Sequence, residues 1–109
     1  MFKVATDPTF THDVTVFVPV DNGHEEAKLR TTFRVLDGDE TDAMDPTSKD
    51  GILSFLDRAV VTFSDLTDDD DQPMDCTSVV RSKILSRPFV RVALFRAYTA
   101  AVTKARLGN

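Results

Sequence analysis

Two alternating apolar runs joined by a turn constrain this chain more than any other feature. Between Asp13 and Val20, Val14, Val16, Val18 and Val20 alternate with Thr15, Phe17 and Pro19, the two-residue period of a half-buried strand. Asp21-Asn22-Gly23-His24 supplies Asn-Gly turn chemistry. Ala27, Leu29, Thr31, Phe33 and Val35 then alternate with Lys28, Arg30, Thr32 and Arg34, so the pair predicts a hairpin with one apolar face. Pro19 has no N–H to give a ladder, which places its strand at a sheet edge, and Phe2 and Val4 are candidates for a short third strand. A lone hairpin is marginally stable in water, so its apolar face has to be covered by the rest of the chain.

The remainder of the chain reads as helix. The stretch from Asp37 to Asp50 holds Gly38, Asp39, Glu40, Asp42 and Asp45-Pro46 and forms an acidic, turn-rich connection. It ends at a start signal, with Thr47 or Ser48 as N-cap. Ile52, Phe55, Leu56, Ala59, Val60 and Phe63 fall at spacings of three and four, which predicts one amphipathic helix of about four turns. Asp68 to Asp71 and Pro73 interrupt the pattern. A short helix is expected from Thr77 to Ser86, with Val80, Ile84 and Leu85 inward. A last helix is expected with Ser86 or Arg87 as cap and Pro88 in its first turn. Its apolar face takes Phe89, Val92, Ala93, Leu94, Phe95, Tyr98, Ala101, Val102 and Ala105; Lys104 and Arg106 suit the dipole at its end, and Gly108 is a stop.

The predicted fold class is therefore α+β: an N-terminal antiparallel hairpin or small sheet (1–36) packed against two to three helices (47–109). The runner-up is a hairpin attached to a helical bundle. At 109 residues there is room for a single domain that buries about two thirds of the surface of its unfolded chain. No stretch approaches the roughly 20 apolar residues of a spanning helix, and the N-terminus lacks a secretory pattern, so a cytoplasmic protein with no membrane partner is expected. Cys76 is the only cysteine, which excludes an internal disulfide and a cysteine-based zinc cluster.

Charge is segregated along the chain. All eighteen Asp and Glu lie at or before Asp75, against six Lys and Arg in the same stretch, a balance of minus twelve; the remaining residues carry seven cations and no acid, a balance of plus seven. Such a split predicts either attraction between the two parts or a second molecule on the basic segment. Arg81, Lys83, Arg87, Arg91, Arg96, Lys104 and Arg106 are enough to contact several phosphates, but the acidic body repels that polymer, and nucleic acid is not the expected partner. Catalysis has little to stand on. His12 precedes the first strand and His24 lies in its turn, neither paired with a nucleophile or with the other as metal ligands. The Asp68 to Asp71 run lacks the alternating oxygens, bend glycine and closing glutamate of a calcium loop. Four scattered glycines make no phosphate cradle. No enzyme activity, metal or cofactor is expected.

The order of short phrases adds a resemblance. Thr6-Asp7-Pro8-Thr9-Phe10 opens the chain, Val18-Pro19-Val20 ends the first strand, and Lys28 to Val35 forms the returning one. Phe95-Arg96-Ala97-Tyr98 and Ala105-Arg106-Leu107-Gly108-Asn109 close the last helix. In this layout and length the chain resembles the tail assembly chaperones of long-tailed bacteriophages and prophages, with Phe63 about where members of that family often carry a tryptophan. The resemblance implies a non-enzymatic protein of the infected host's cytoplasm that binds the tape measure protein and keeps it soluble until the tail tube forms around it. It further implies absence from the finished virion. A frameshifted longer form would recruit the major tail tube protein. A client with helical apolar stripes points to Arg91, Phe95, Arg96 and Tyr98 as the partner-binding surface, and the exposed hairpin edge to a homo-oligomer. The competing reading is a small regulatory adaptor that binds another protein through the same basic helix.

Overall fold

The structure is a computed structural model and describes residues 2, 4, 7–42, 45 and 47–103. The hairpin forms as expected and is longer than its clearest alternation. Strands β1 (Thr9–Val20) and β2 (Gly23–Arg34) pair antiparallel from Thr9 opposite Arg34 to Val20 opposite Gly23. Only Asp21 and Asn22 lie between them, and Asn22 takes the left-handed backbone that asparagine tolerates (φ 64°). The ladder continues past β2, where the Val35 amide donates to the Pro8 carbonyl at 3.0 Å.

The third strand is not built from Phe2 and Val4, which are 90% and 87% exposed. It is β3 (Val60–Ser64), which pairs antiparallel with β2 and gives the sheet order β1-β2-β3. Pro19 thus lies on an edge strand. The expected four-turn helix is correspondingly shorter: α2 (Lys49–Ala59) ends where β3 begins. The register slips beside Thr32 and Phe33, pairing Thr32 with Thr62 but Phe33 with Val60. Val61 is the extra residue of this bulge and is 38% exposed, whereas Val60 and Phe63 are both buried. Two bulged-strand residues three apart on one face reproduce helical spacing, which is why the stripe from Ile52 to Phe63 reads as continuous helix.

A short helix, α1 (Gly38–Asp42), lies in the acidic connection, where the sequence predicts only turns. Ser48 is the N-cap of α2, its hydroxyl accepting from the Gly51 amide at 3.2 Å. Just before it, Asp45 accepts from the Thr47 hydroxyl at 2.6 Å and the Thr47 amide at 2.9 Å. These bonds hold the Asp45 carboxyl below its ordinary value, the hydroxyl contributing most. Gly51 is required here by proximity, since a Cβ would collide with the Asp45 carbonyl.

The aspartate run caps itself. Strands β4 (Leu66–Thr67) and β5 (Pro73–Met74) form a second, two-stranded hairpin. In its turn the Asp68 carboxylate accepts from the amides of Asp70 (2.9 Å) and Gln72 (3.0 Å). Helix α3 (Ser78–Leu85) starts at Thr77, which accepts from the Val80 amide at 3.2 Å. Helix α4 (Pro88–Thr103) starts on Arg87, whose carbonyl accepts from the amides of Val90 and Arg91. The expected positions Lys104, Ala105, Arg106 and Gly108 lie outside the described residues.

One core joins these elements. Val14, Val16 and Phe33 of the sheet, Phe55, Leu56 and Ala59 of α2, Val60 and Phe63 of β3, and Leu85, Val90, Leu94 and Tyr98 of the last two helices are all buried. Tyr98 is its hub. Its ring centroid lies 5.0 Å from Phe55, 5.8 Å from Phe33 and 6.2 Å from Phe10, each such pair worth about 0.5–1.5 kcal/mol beyond area burial. Its hydroxyl accepts the buried Leu36 amide at 3.0 Å. Tyr98→Phe orphans that amide and is expected to cost about 1–3 kcal/mol, while Tyr98→Ala also opens a cavity and is expected to cost about 3–5 kcal/mol; denaturant unfolding measures both. The Asp45 contacts make a pH-dependent contribution. A depressed carboxyl stabilises above its unfolded value and loses that contribution as pH falls through the folded one, so the protection factor of the Thr47 amide should fall on acidification below the carboxylate range.

Candidate functional site

Helix α4 is more apolar than one buried stripe requires. Val90, Leu94 and Tyr98, four residues apart, face the sheet and are buried. Pro88, Val92 and Arg96 are offset from them by two residues, about 200° around the helix, and therefore lie on nearly the opposite face. Val92, expected inward, is 53% exposed, and Val102, near the helix end, is 41% exposed. Tyr98, expected on a partner-binding surface, is instead 3% exposed. The reason is tertiary: Tyr98 lies where α4 crosses the sheet, and its hydroxyl satisfies an amide that leaves β2 with no ladder partner.

The other three expected site residues come together. Arg91, Phe95 and Arg96 line an open groove of about 270 Å³ with Pro88 and Val92 of the same helix and Ile52 of α2. The floor is apolar and anchored, since Phe95 is half-buried and meets Phe55 edge-on at 5.7 Å. The rim is cationic. Arg96 is exposed and forms no ion pair with a described residue. Arg91 is held in place by backbone: its Nε donates to the Leu85 carbonyl and its Nη2 to the Ser86 carbonyl, both at 2.8 Å. Those carbonyls end α3, so the Arg91 guanidinium caps that helix against its dipole while its stem walls the groove.

Ile52, Pro88 and Val92 are groove residues that the sequence reading does not single out. A signal exists: the helix from Pro88 to Thr103 carries two charges, both cationic, in sixteen residues, too few for a helix with one solvated face. Among the described residues, charge segregation produces one ion pair between the two parts of the chain. Arg81 reaches from α3 to α2, with Nη1 on the Asp57 carboxylate at 2.7 Å and Nη2 on the Asp57 and Val60 carbonyls at 2.8 Å each. It thereby ties the end of α2 to the start of β3.

Among the described residues, titratable and metal-ligating groups do not converge elsewhere. His12 lies within β1 rather than before it, with its ring 5.1 Å from Phe10, and His24 is exposed within β2 opposite Pro19 rather than in the turn. Cys76 is a half-buried free thiol. Among the described residues no three His, Cys, Asp or Glu side chains are placed to share a metal ion, and no helix is long and apolar enough to cross a membrane. The geometry fits recognition of an apolar stripe with acidic flanks. Arg91→Met should lower stability by roughly 1–2 kcal/mol through the loss of its two charge-assisted bonds. Arg96→Met should change it by less than about 0.5 kcal/mol; thermal or urea unfolding separates the capping residue from the free one. Comparison with family models, with curated proteins and with solved structures gives no match.

Proposed function

We propose that this protein is a non-enzymatic tail assembly chaperone of a bacteriophage, and that its groove between α2 and α4 holds helical segments of the tape measure protein. One observation carries the reading: the groove offers an apolar floor at Ile52, Val92 and Phe95 with a cationic rim at Arg91 and Arg96, and α4 contains no acidic residue. A helix that would otherwise aggregate through an apolar stripe at i, i+3 and i+4 matches that floor, and Asp or Glu beside the stripe matches the rim. The choice of the tape measure protein as client rests on the resemblance carried by the order of phrases along the sequence. In this reading the protein works in the host cytoplasm before the tail is complete and is released as tube subunits replace it, and a frameshifted longer form recruits the tube protein.

Val92 is the position to test because it is exposed and outside the core. Val92→Asp should leave the thermal midpoint within a few degrees, since exposed substitutions rarely exceed about 0.5 kcal/mol. It should weaken co-elution with a co-expressed tape measure protein at least about tenfold by placing a carboxylate on the apolar floor. A tape measure protein that stays insoluble beside the folded wild-type chain, or that binds Val92→Asp as well as wild type, would sink the assignment.

A further inference from the structure

The end of the hairpin lies outside the core. Along β1 the core-facing valines emerge progressively: Val14 and Val16 are buried, Val18 is half-buried and Val20 is 44% exposed. The last pairs of the hairpin therefore project beyond the helices, consistent with extents of 45 × 28 × 27 Å. Phe17, on the other face, is 52% exposed and lies directly opposite Glu26, while Val18 lies opposite Glu25. Asp21 and Glu25 are also exposed. The tip thus carries apolar side chains on both its faces, Val20 with Glu25 on one and Phe17 with Glu26 on the other, and Asp21 at its end. The groove carries apolar side chains rimmed by Arg91 and Arg96. Neither Glu25, Glu26 nor Arg96 forms an ion pair with a described residue. One surface projects, the other is concave, and their charges are opposite.

We propose that the hairpin tip of one copy seats in the α2/α4 groove of a second copy, with Phe17 and Val20 against Val92 and Phe95, and Glu26 facing Arg96. The contact is heterologous, each copy offering a tip and a groove, so it repeats head to tail into rings or open chains. It rests on the groove described above and on nothing about the client. If the client occupies the same groove, self-association covers the apolar floor until the client displaces the tip. Because the rim charges are solvated, association weakens as salt is raised.

Reciprocal charge reversal tests this with full-length protein. Wild type should show concentration-dependent self-association in sedimentation velocity at low salt. Glu26→Arg alone and Arg96→Glu alone should each weaken it about tenfold or more, because arginine then faces arginine or glutamate faces glutamate. An equimolar mixture of the two variants should recover association, because each contact between unlike copies that joins the two substituted positions is again oppositely charged. Both substituted residues are exposed, and unchanged circular dichroism melting confirms that the variants fold. A wild type that remains monomeric, association that persists in both single variants, as edge-to-edge pairing through β1 would give, or a mixture no more associated than its components overturns the proposal. No arm uses the client, so a failed client capture beside a successful mixture removes only the chaperone assignment.

Discussion

The hydrogen bond from the Leu36 amide to the Tyr98 hydroxyl joins two elements sixty-two residues apart, and much of the fold is arranged around it. Leu36 is where the chain leaves the sheet, so its amide has no strand to pair with and is buried away from water. Such a group must find a partner or cost the fold most of its desolvation penalty. Tyr98 supplies the partner and fills the space between Phe10, Phe33 and Phe55. That one side chain fixes where α4 crosses the sheet. Once the crossing is fixed, the stripe Val90, Leu94 and Tyr98 is inward, and Pro88, Val92 and Arg96 are left facing out.

The groove follows from that rotation together with the bulge in β3. Ending α2 at Ala59 and starting a strand at Val60 lets Phe55, Leu56, Ala59, Val60 and Phe63 all reach one core. It leaves Ile52, one turn earlier, beside the second face of α4. Arg81 secures the junction through the Asp57 and Val60 carbonyls. Arg91 secures the next one by capping α3. Two of the basic segment's arginines are thus committed to holding helix ends in place, whereas Arg96 beside the groove forms no ion pair with a described residue. A basic segment is therefore not uniformly a binding surface; part of its charge holds the frame together.

Legibility in the sequence varies with the range of the interaction that decides each element. The hairpin and the place of its turn, the cap at Thr47 or Ser48, the short helix beginning near Thr77 and the Pro88 helix start are all readable, because each depends on residues within a few positions. The helix-to-strand change at Val60 is not. Its residues are β-branched, which favours strand, but the spacing of Val60 and Phe63 favours helix, and only pairing with Thr31 to Phe33 of β2 decides between them. Arg91, Phe95 and Arg96 are recognisable as surface candidates from charge and aromatic content. Tyr98 carries the same signals and lies in the core, since nothing near it in sequence reveals the Leu36 amide.

Local sequence alone settles the class of the fold, the edge position of Pro19, the starts of α2, α3 and α4 and the segregation of acidic from basic residues. These follow from periodicity, from turn and cap chemistry and from composition. Long-range packing settles the third strand, the inward turn of Tyr98 and the outward turn of Val92. Each of those depends on which distant segment supplies a hydrogen-bond partner or a packing surface. An amide at position 36 and a phenol at position 98 have no sequence-local relation, and their meeting sets which face of α4 is left outside the core.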